Sequence, residues 1–324
     1  MAFEQVEHDI ETIRAEIARV APRFEGLPVV RLGEGMDSLA VLLGDDYVFG
    51  FAKHADAALG LERQAAILPH LAPTLPLEVP RLEYSGRTLA NGLPFVGYPL
   101  IRGEPLDRAS FEGLGPAARE GVFRDLAGFL GALHAFPVER ALALGAAPPG
   151  SEAGSLGVAP FGSRADYGEA LLRARGEVFP LLGGEARREV DSRLSAFLED
   201  DGHFARPPVL LHADLWPEHV LYSTDLGRIT GVIDFADVSI GDADYDLAFL
   251  ATRLGPGFLD GLLRHLDHPD PARLPAKLDA LALFNAIDDA TIGLERGDRD
   301  LTGSALAYIA DRCVASWPAG RGLR

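Results

Sequence analysis

The sequence predicts an α+β fold in two lobes, a small β-sheet lobe followed by a mainly helical one. Three observations carry this. Short β-rich segments crowd the first hundred residues, and helix-period apolar stripes dominate the remainder of the chain. A single β-rich island, Val209 to Ile240, interrupts those helices.

The elements can be read off in order. Ile10, Ile13, Ile17 and Val20 fall on one helical stripe, and Pro22 ends that helix. Val29 to Leu32 and Leu39 to Leu43 read as strands around a turn, Gly33-Glu34-Gly35. Tyr47 to Phe51 is a third strand, after the turn-forming Asp45-Asp46. A helix from about Ala57 to Leu71 presents Leu61, Ile67, Leu68 and Leu71 as its apolar face. Pro73, Pro76 and Pro80 mark a loop, and Arg81 to Ser85 and Phe95 to Ile101 are two further strands. The lobe boundary falls at a connector near 97–102, which assigns 1–100 to the small lobe and 103–324 to the large one. Val122, Phe123, Leu126, Phe129, Leu130 and Leu133 form a strong amphipathic helix. Residues 140–163, rich in Ala, Gly, Pro and Ser, read as a loop. Helices follow near 164–182 and 185–199, and about 245–317 is mostly helical.

Composition narrows the function class. With 48% hydrophobic and 24% charged residues, the 324-residue chain can bury a sizeable core. Its net charge of −18 repels a phosphate backbone, so nucleic acid is not an expected partner, whereas a cationic small molecule is attracted. The one cysteine, Cys313, precludes a disulfide framework within the chain. The N-terminus MAFEQVEHDI lacks a basic patch followed by an apolar run, and no stretch is apolar for about 18 residues. A cytoplasmic protein without membrane spans, monomeric or weakly dimeric, is expected.

The island holds the densest chemistry. Leu210-Leu211-His212-Ala213-Asp214 ends one apolar strand, and His219 precedes a second that begins at Val220. Ile229-Thr230-Gly231-Val232-Ile233-Asp234 then places another Asp directly after a hydrophobic strand. Two loop carboxylates and an imidazole, each beside an apolar strand, suit a reaction that must deprotonate a hydroxyl and hold a cation against phosphate oxygens.

His212-x-Asp214-x-x-x-x-His219 followed by Val232-Ile233-Asp234-Phe235 resembles the aminoglycoside phosphotransferases of the protein-kinase-like superfamily. The His at 219, where most members carry Asn, is similar to the branch holding the 2″-aminoglycoside and macrolide phosphotransferases. The resemblance implies a bilobal kinase-like fold, with Asp214 as catalytic base and His219 and Asp234 as magnesium ligands. It implies that His212 supports the catalytic loop and that Asp246, in Asp244-Tyr245-Asp246-Leu247-Ala248, braces it. Leu32-Gly33-Glu34-Gly35-Met36-Asp37-Ser38 resembles the nucleotide-positioning loop, which makes Gly33, Gly35 and Ser38 nucleotide-binding candidates. Phe95 to Ile101 resembles the segment that joins the lobes and meets the purine base, with Tyr98 and Ile101 as its candidates. The likeness covers about 28–255.

Two positions depart from the family. A basic residue expected on the third strand is Gly50, and its glutamate partner is Gln64. Lys53, one of only two lysines, is the replacement candidate, paired with Glu62, although strand alternation points it away from the face of residue 50. The expected reaction is transfer of the γ-phosphoryl of ATP or GTP, with Mg²⁺, to a hydroxyl of an aminoglycoside-like molecule. A macrolide or metabolite-alcohol kinase, or a nucleotide-binding pseudokinase of weak turnover, are the alternatives. For a cationic substrate the acidic candidates are Asp237, Asp288, Asp289 and Glu295, with Asp298 nearby. Asp288 and Glu295 lie seven apart on one helix face.

Overall fold

A computed structural model describes residues 6–148, 163–255 and 257–314. Helix α1 (Ile10–Val20) precedes three consecutive antiparallel strands, β1 (Val29–Glu34), β2 (Ser38–Leu43) and β3 (Tyr47–Ala52), and α2 (Ala55–Leu71) leads to β4 (Tyr84–Arg87) and β5 (Pro94–Pro99). These strands make one antiparallel sheet in the order β1-β2-β3-β5-β4. Strand alternation splits its residues between two helices. Phe49, Phe51 and Phe95 turn to α1, where Ile13 and Ile17 cover them, while Ala52 and Val96 meet Ala57, Ala58 and Leu61 of α2. Each of the three phenylalanines is fully buried and contributes about 1.5–3 kcal/mol of transfer free energy.

The strand expected at 81–85 is displaced to Tyr84–Arg87. Gly86 explains the shift: a Cβ there would run into the ring of Phe95, so the glycine register decides where β4 pairs with β5.

Beyond the sheet, a short β6 (Glu104–Pro105) and α3 (Arg108–Gly113) precede α4 (Pro116–His134) and α5 (Val138–Ala143). Helix α5 occupies the start of the stretch expected to be a loop, because an alanine-rich run after Pro137 has high helix propensity. Residues 149–162 of that stretch lie outside the described residues. Helices α6 (Arg164–Glu177) and α7 (Gly184–Glu199) lead into the island: β7 (Val209–Leu211), β8 (Val220–Ser223), β9 (Arg228–Val232) and β10 (Ser239–Gly241). Then come α8 (Tyr245–Arg253), α9 (Phe258–Leu263), α10 (Leu274–Arg296) and α11 (Arg299–Val314). Strand β7 pairs with β10, and β8 lies between β6 and β9, so the four island strands form two small ribbons. One continuous core joins α4, α8 and α10 to these ribbons through Leu126, Phe129, Leu130, Leu211, Phe235 and Leu283.

The sheet region and the helical region meet along backbone. Val232 N–H donates to Glu78 O at 2.9 Å. A Cβ on Gly231 would sit 2.6 Å from that same oxygen and 2.7 Å from the Ile101 side chain, so only glycine lets the two segments touch. Among the described residues no helix is long and apolar enough to cross a membrane.

Candidate active site

The loop after β7 is fixed from below by one carboxylate. Asp246, fully buried near the start of α8, accepts the His212 N–H at 3.1 Å and the Ala213 N–H at 2.9 Å. His134 Nε2 of α4 reaches the same carboxylate at 3.0 Å. Ala213 has φ +68°, a left-handed conformation that an alanine adopts only when its surroundings impose it. His212, also fully buried, accepts the Asp214 N–H on Nδ1 at 3.3 Å and meets Ile233 O through Nε2 at 3.1 Å. Since a carbonyl only accepts, Nε2 carries the proton and the imidazole is neutral. Burial lowers the His212 pKa to about 4, aided by His219 and opposed by Asp246 and Asp234. His212 thus ties the Asp214 loop to the strand end that presents Asp234.

Asp214, His219 and Asp234 converge, each offering a ligand atom within 4.8 Å of the others. His219 Nδ1 donates to the Asp214 backbone oxygen at 2.7 Å and lies 3.4 Å from Asp214 Oδ2. That bond leaves Nε2 of the neutral ring with its lone pair towards Asp234 Oδ2, 3.7 Å away. Asp234 adopts φ +67°, so its backbone turns sharply as β9 ends. Burial raises the Asp214 pKa to about 6; Asp234 and Asp37 push the same way, against His219 and Trp216. Burial opposes charging of His219, yet Asp214 and Asp234 outweigh it and the net shift is upward. Asp237 is raised further, by burial and then by Asp214, Asp234 and Asp37, against Arg63. Four carboxylates therefore crowd one another with little cationic compensation. Two carboxylate oxygens and an imidazole lone pair fit a divalent cation, and magnesium takes the oxygens by preference. Such an ion would also relieve the repulsion that adds to the burial-driven shifts of Asp214 and Asp237.

On the sheet side, the candidate nucleotide loop is a closed hairpin tip, with Gly35 N–H donating to Ser38 O at 2.9 Å. Lys53 clasps it from the end of β3: Nζ donates to Gly35 O at 2.9 Å and pairs with Glu34 at 3.0 Å. The expected Lys53–Glu62 pair is not formed. Glu62 pairs with Arg87 instead, because the side-chain period at β3 turns Lys53 towards the hairpin and away from α2. Lys53 is itself buried. Gly50 faces open space, with nothing within 4 Å of an added Cβ, and Gln64 is buried on α2. Tyr98, at the end of β5, has its phenol pKa raised by burial and by Asp234, and Ile101 packs against Gly231.

The acidic candidates do not form one cluster. Asp289 lines a cavity of about 270 Å³ between α8, α10 and α11, together with Trp216, Phe249, Arg253, Asn285 and Tyr308. Trp216 stacks on Phe249 at 4.0 Å, and the Arg253 guanidinium lies 4.9 Å from the Trp216 ring centre. Burial raises the Asp289 pKa to about 6 against the pull of Arg253. Asp288 points elsewhere on α10 and is raised to about 8 by burial, then by Asp289 and Glu295. Glu295 is ion-paired to Arg173, and Asp298 accepts the N–H groups of Asp300 and Leu301 at the start of α11. Asp237 sits on the other side, at the metal-ligand cluster.

A model of the phosphotransferase enzyme family matches residues 28–277. The chain belongs to that family. A curated relative, the viomycin phosphotransferase of Streptomyces vinaceus, is 28% identical over 266 residues, covering 78% of this chain and 83% of that protein. The solved GDP complex of aminoglycoside 2'-phosphotransferase-IIIa superposes with a TM-score of 0.87 at 26% identity, covering 95% of this chain and 99% of the other. A GDP and kanamycin complex of APH(2")-IIia gives 0.84 at 27% identity, covering 93% and 98%. The fold is therefore that of the kinase-like antibiotic phosphotransferases, and this phosphotransferase is an enzyme that uses a hydroxyl acceptor.

Several residues that contact the site of this phosphotransferase are not among the sequence candidates. Asp37, on the hairpin tip, is held by His54 Nε2 at 3.0 Å and adds charge to the cluster. His54 accepts the Ala57 N–H at 3.2 Å on its other nitrogen and so caps α2 as well. Trp216 is legible only as part of the Asp214–His219 loop. Arg63 and His134 act through folding back of helices far away in sequence, and a pairing 112 or 173 residues long leaves no local signal.

Proposed function

We propose that this phosphotransferase moves the γ-phosphoryl group of ATP or GTP to a hydroxyl of a cationic, aminoglycoside-like acceptor. The convergence of Asp214, His219 and Asp234 carries the reading. Asp214 is the base: it orients the acceptor hydroxyl and takes its proton as the oxygen bonds to phosphorus and the bond to the nucleoside diphosphate breaks. His219 and Asp234 are the residues that would hold magnesium, which when bound neutralises charge on the phosphate oxygens. His212 and Asp246 keep Asp214 in place through their hydrogen bonds to its loop.

The hairpin tip with Gly33, Gly35 and Ser38 lies over the phosphates in this reading, and the segment from Tyr98 to Ile101 between the lobes receives the base. An added Cβ at Gly33 would meet nothing within 4 Å, so the fold itself does not demand that glycine; close approach of a ligand is its supporting explanation. A cationic acceptor is supported by the net charge of −18 and by Asp289 in the aromatic-lined cavity beside the catalytic loop. The absence of a basic side chain at Gly50 favours one secondary reading, a protein that binds nucleotide well but turns over slowly.

The test is turnover of MgATP and MgGTP with kanamycin, viomycin and a macrolide as acceptors, alongside Asp214→Asn. Consumption of nucleotide that depends on a cationic acceptor and is abolished in Asp214→Asn is expected. Full activity of Asp214→Asn removes the assignment of the base. Nucleotide-dependent stabilisation without turnover on any acceptor establishes the secondary reading.

A further inference from the structure

The segment after Asp234 is held from α2 by a seam that none of the motifs contains. Arg63, half-buried on α2, donates through one guanidinium nitrogen to Ala236 O at 3.1 Å and through Nε to Gly145 O at 3.1 Å. Its charge is also felt by Asp237. One turn earlier on the same helix, Gly60 packs flat on Ala236, and a Cβ there would lie 3.2 Å from both the Ala236 Cβ and its carbonyl oxygen. The 145–147 segment that Arg63 grips is itself bonded to the far side of the same loop. Ala147 N–H donates to Val238 O at 3.3 Å and Ile240 N–H donates to Ala147 O at 2.8 Å. Residues 236–240 are thus clamped between α2 and the 145–147 segment, two residues beyond a left-handed Asp234 whose carboxylate must stay within reach of His219.

We propose that Arg63 is a positioning residue that, with Gly60 as its contact surface, fixes the Asp234 carboxylate in its metal-holding pose by docking α2 onto Ala236. The inference rests on the reading of Asp234 as a metal ligand. It places the control of metal affinity on a helix of the sheet lobe. Groups that orient a metal ligand from behind typically alter affinity or activity by about 10–100-fold when removed.

The experiment measures Mn²⁺ binding by electron paramagnetic resonance in the presence of ADP, and kcat, nucleotide KM and melting temperature in parallel. Asp234→Ala sets the reference for lost metal binding. Arg63→Gln is expected to weaken Mn²⁺ binding and lower kcat by about tenfold or more, with nucleotide KM within about twofold, and Arg63→Lys to recover part of both. Gly60→Ala is the decisive companion. An alanine Cβ there would lie 3.2 Å from Ala236, so α2 or the 236–240 loop must shift by a few tenths of an ångström and Mn²⁺ binding is expected to weaken, with the melting temperature read in parallel to separate that shift from unfolding. Wild-type Mn²⁺ affinity in Arg63→Gln and Gly60→Ala, with Asp234→Ala still deficient, overturns the seam. So does a variant whose only change is a raised nucleotide KM. Equal Mn²⁺ binding by wild type and Asp234→Ala instead sinks the metal assignment, and the seam with it.

Discussion

Asp246→Asn changes a single side-chain oxygen to an NH₂ group and tests how the catalytic loop is held. The carboxylate is fully buried and accepts two backbone N–H groups, from His212 and Ala213. An amide keeps one acceptor oxygen and turns its NH₂ towards the other donor. One buried N–H is then left unsatisfied, at about 1–3 kcal/mol. The left-handed Ala213 loses part of what imposes its conformation, worth about another 1 kcal/mol. The sum, about 2–4 kcal/mol, corresponds to a fall in melting temperature on the order of 5–10 °C. Activity should fall more steeply than stability, because a displacement of Asp214 by about 1 Å costs on the order of a hundredfold in rate. Adding Ala213→Gly separates the two effects, since glycine removes the left-handed strain. It should restore about 1 kcal/mol of stability and leave kcat low. Differential scanning calorimetry and steady-state kinetics on the two variants decide the matter. Wild-type melting temperature and kcat in Asp246→Asn would refute the bracing argument.

Other groups make further outcomes measurable. Lys277 pairs with Asp242 and, at 2.8 Å, with Asp244, and both side chains of the latter pair are nearly inaccessible; Lys277→Met should destabilise by about 1–3 kcal/mol in urea titrations, since Asp244 loses one of its cationic partners but keeps Arg206 and His268. Burial would raise the Asp244 pKa, but His268, Lys277 and Arg206 outweigh it and hold the carboxyl well below its usual range. The folded pKa is depressed, so this stabilisation is full above about pH 4 and is lost progressively as pH falls further; acid unfolding of Asp244→Asn should show a weaker pH dependence there. Asp289→Asn should raise KM for a cationic acceptor by about tenfold and leave nucleotide KM unchanged, and equal effects on both would place the acceptor elsewhere. Lys53→Met frees the hairpin tip and should raise nucleotide KM, measurable by calorimetric titration, with little change in melting temperature.

Much of the molecule is legible in its sequence because local rules decide it. Ile13 and Ile17 mark α1, and Leu211 and Val232 mark strands by their burial, with boundaries within a few residues. The dense spacing of His212, Asp214, His219 and Asp234 places all four at strand ends, where the chain has to bring them together. What stays hidden depends on pairs distant in the chain. Gly86 shifts β4 only because Phe95 stands across from it, and Lys53 chooses Glu34 over Glu62 through the geometry of the hairpin. The acidic candidates on α10 illustrate the same limit. A seven-residue spacing aligns Asp288 with Glu295, but it is the docking of α6 that brings Arg173 to neutralise Glu295, and the packing of α8 and α11 that leaves Asp289 facing a cavity. Alanine content misleads in a different way: the run at α5 is composed like a loop yet helical by propensity.

The clasp of Lys53 on the hairpin tip also gives the molecule a built-in reporter. The chain has two lysines, and their side chains are only 10% and 5% accessible, one tied to Glu34 and the other to Asp242 and Asp244. Every other basic side chain apart from histidine is an arginine, inert to acylating reagents. An amine-reactive label can therefore enter at Lys53 only when the tip lifts away from Glu34 and Gly35. Its rate of incorporation at Lys53 becomes a clock for how often the hairpin tip opens, and nucleotide bound in the proposed site should slow the clock.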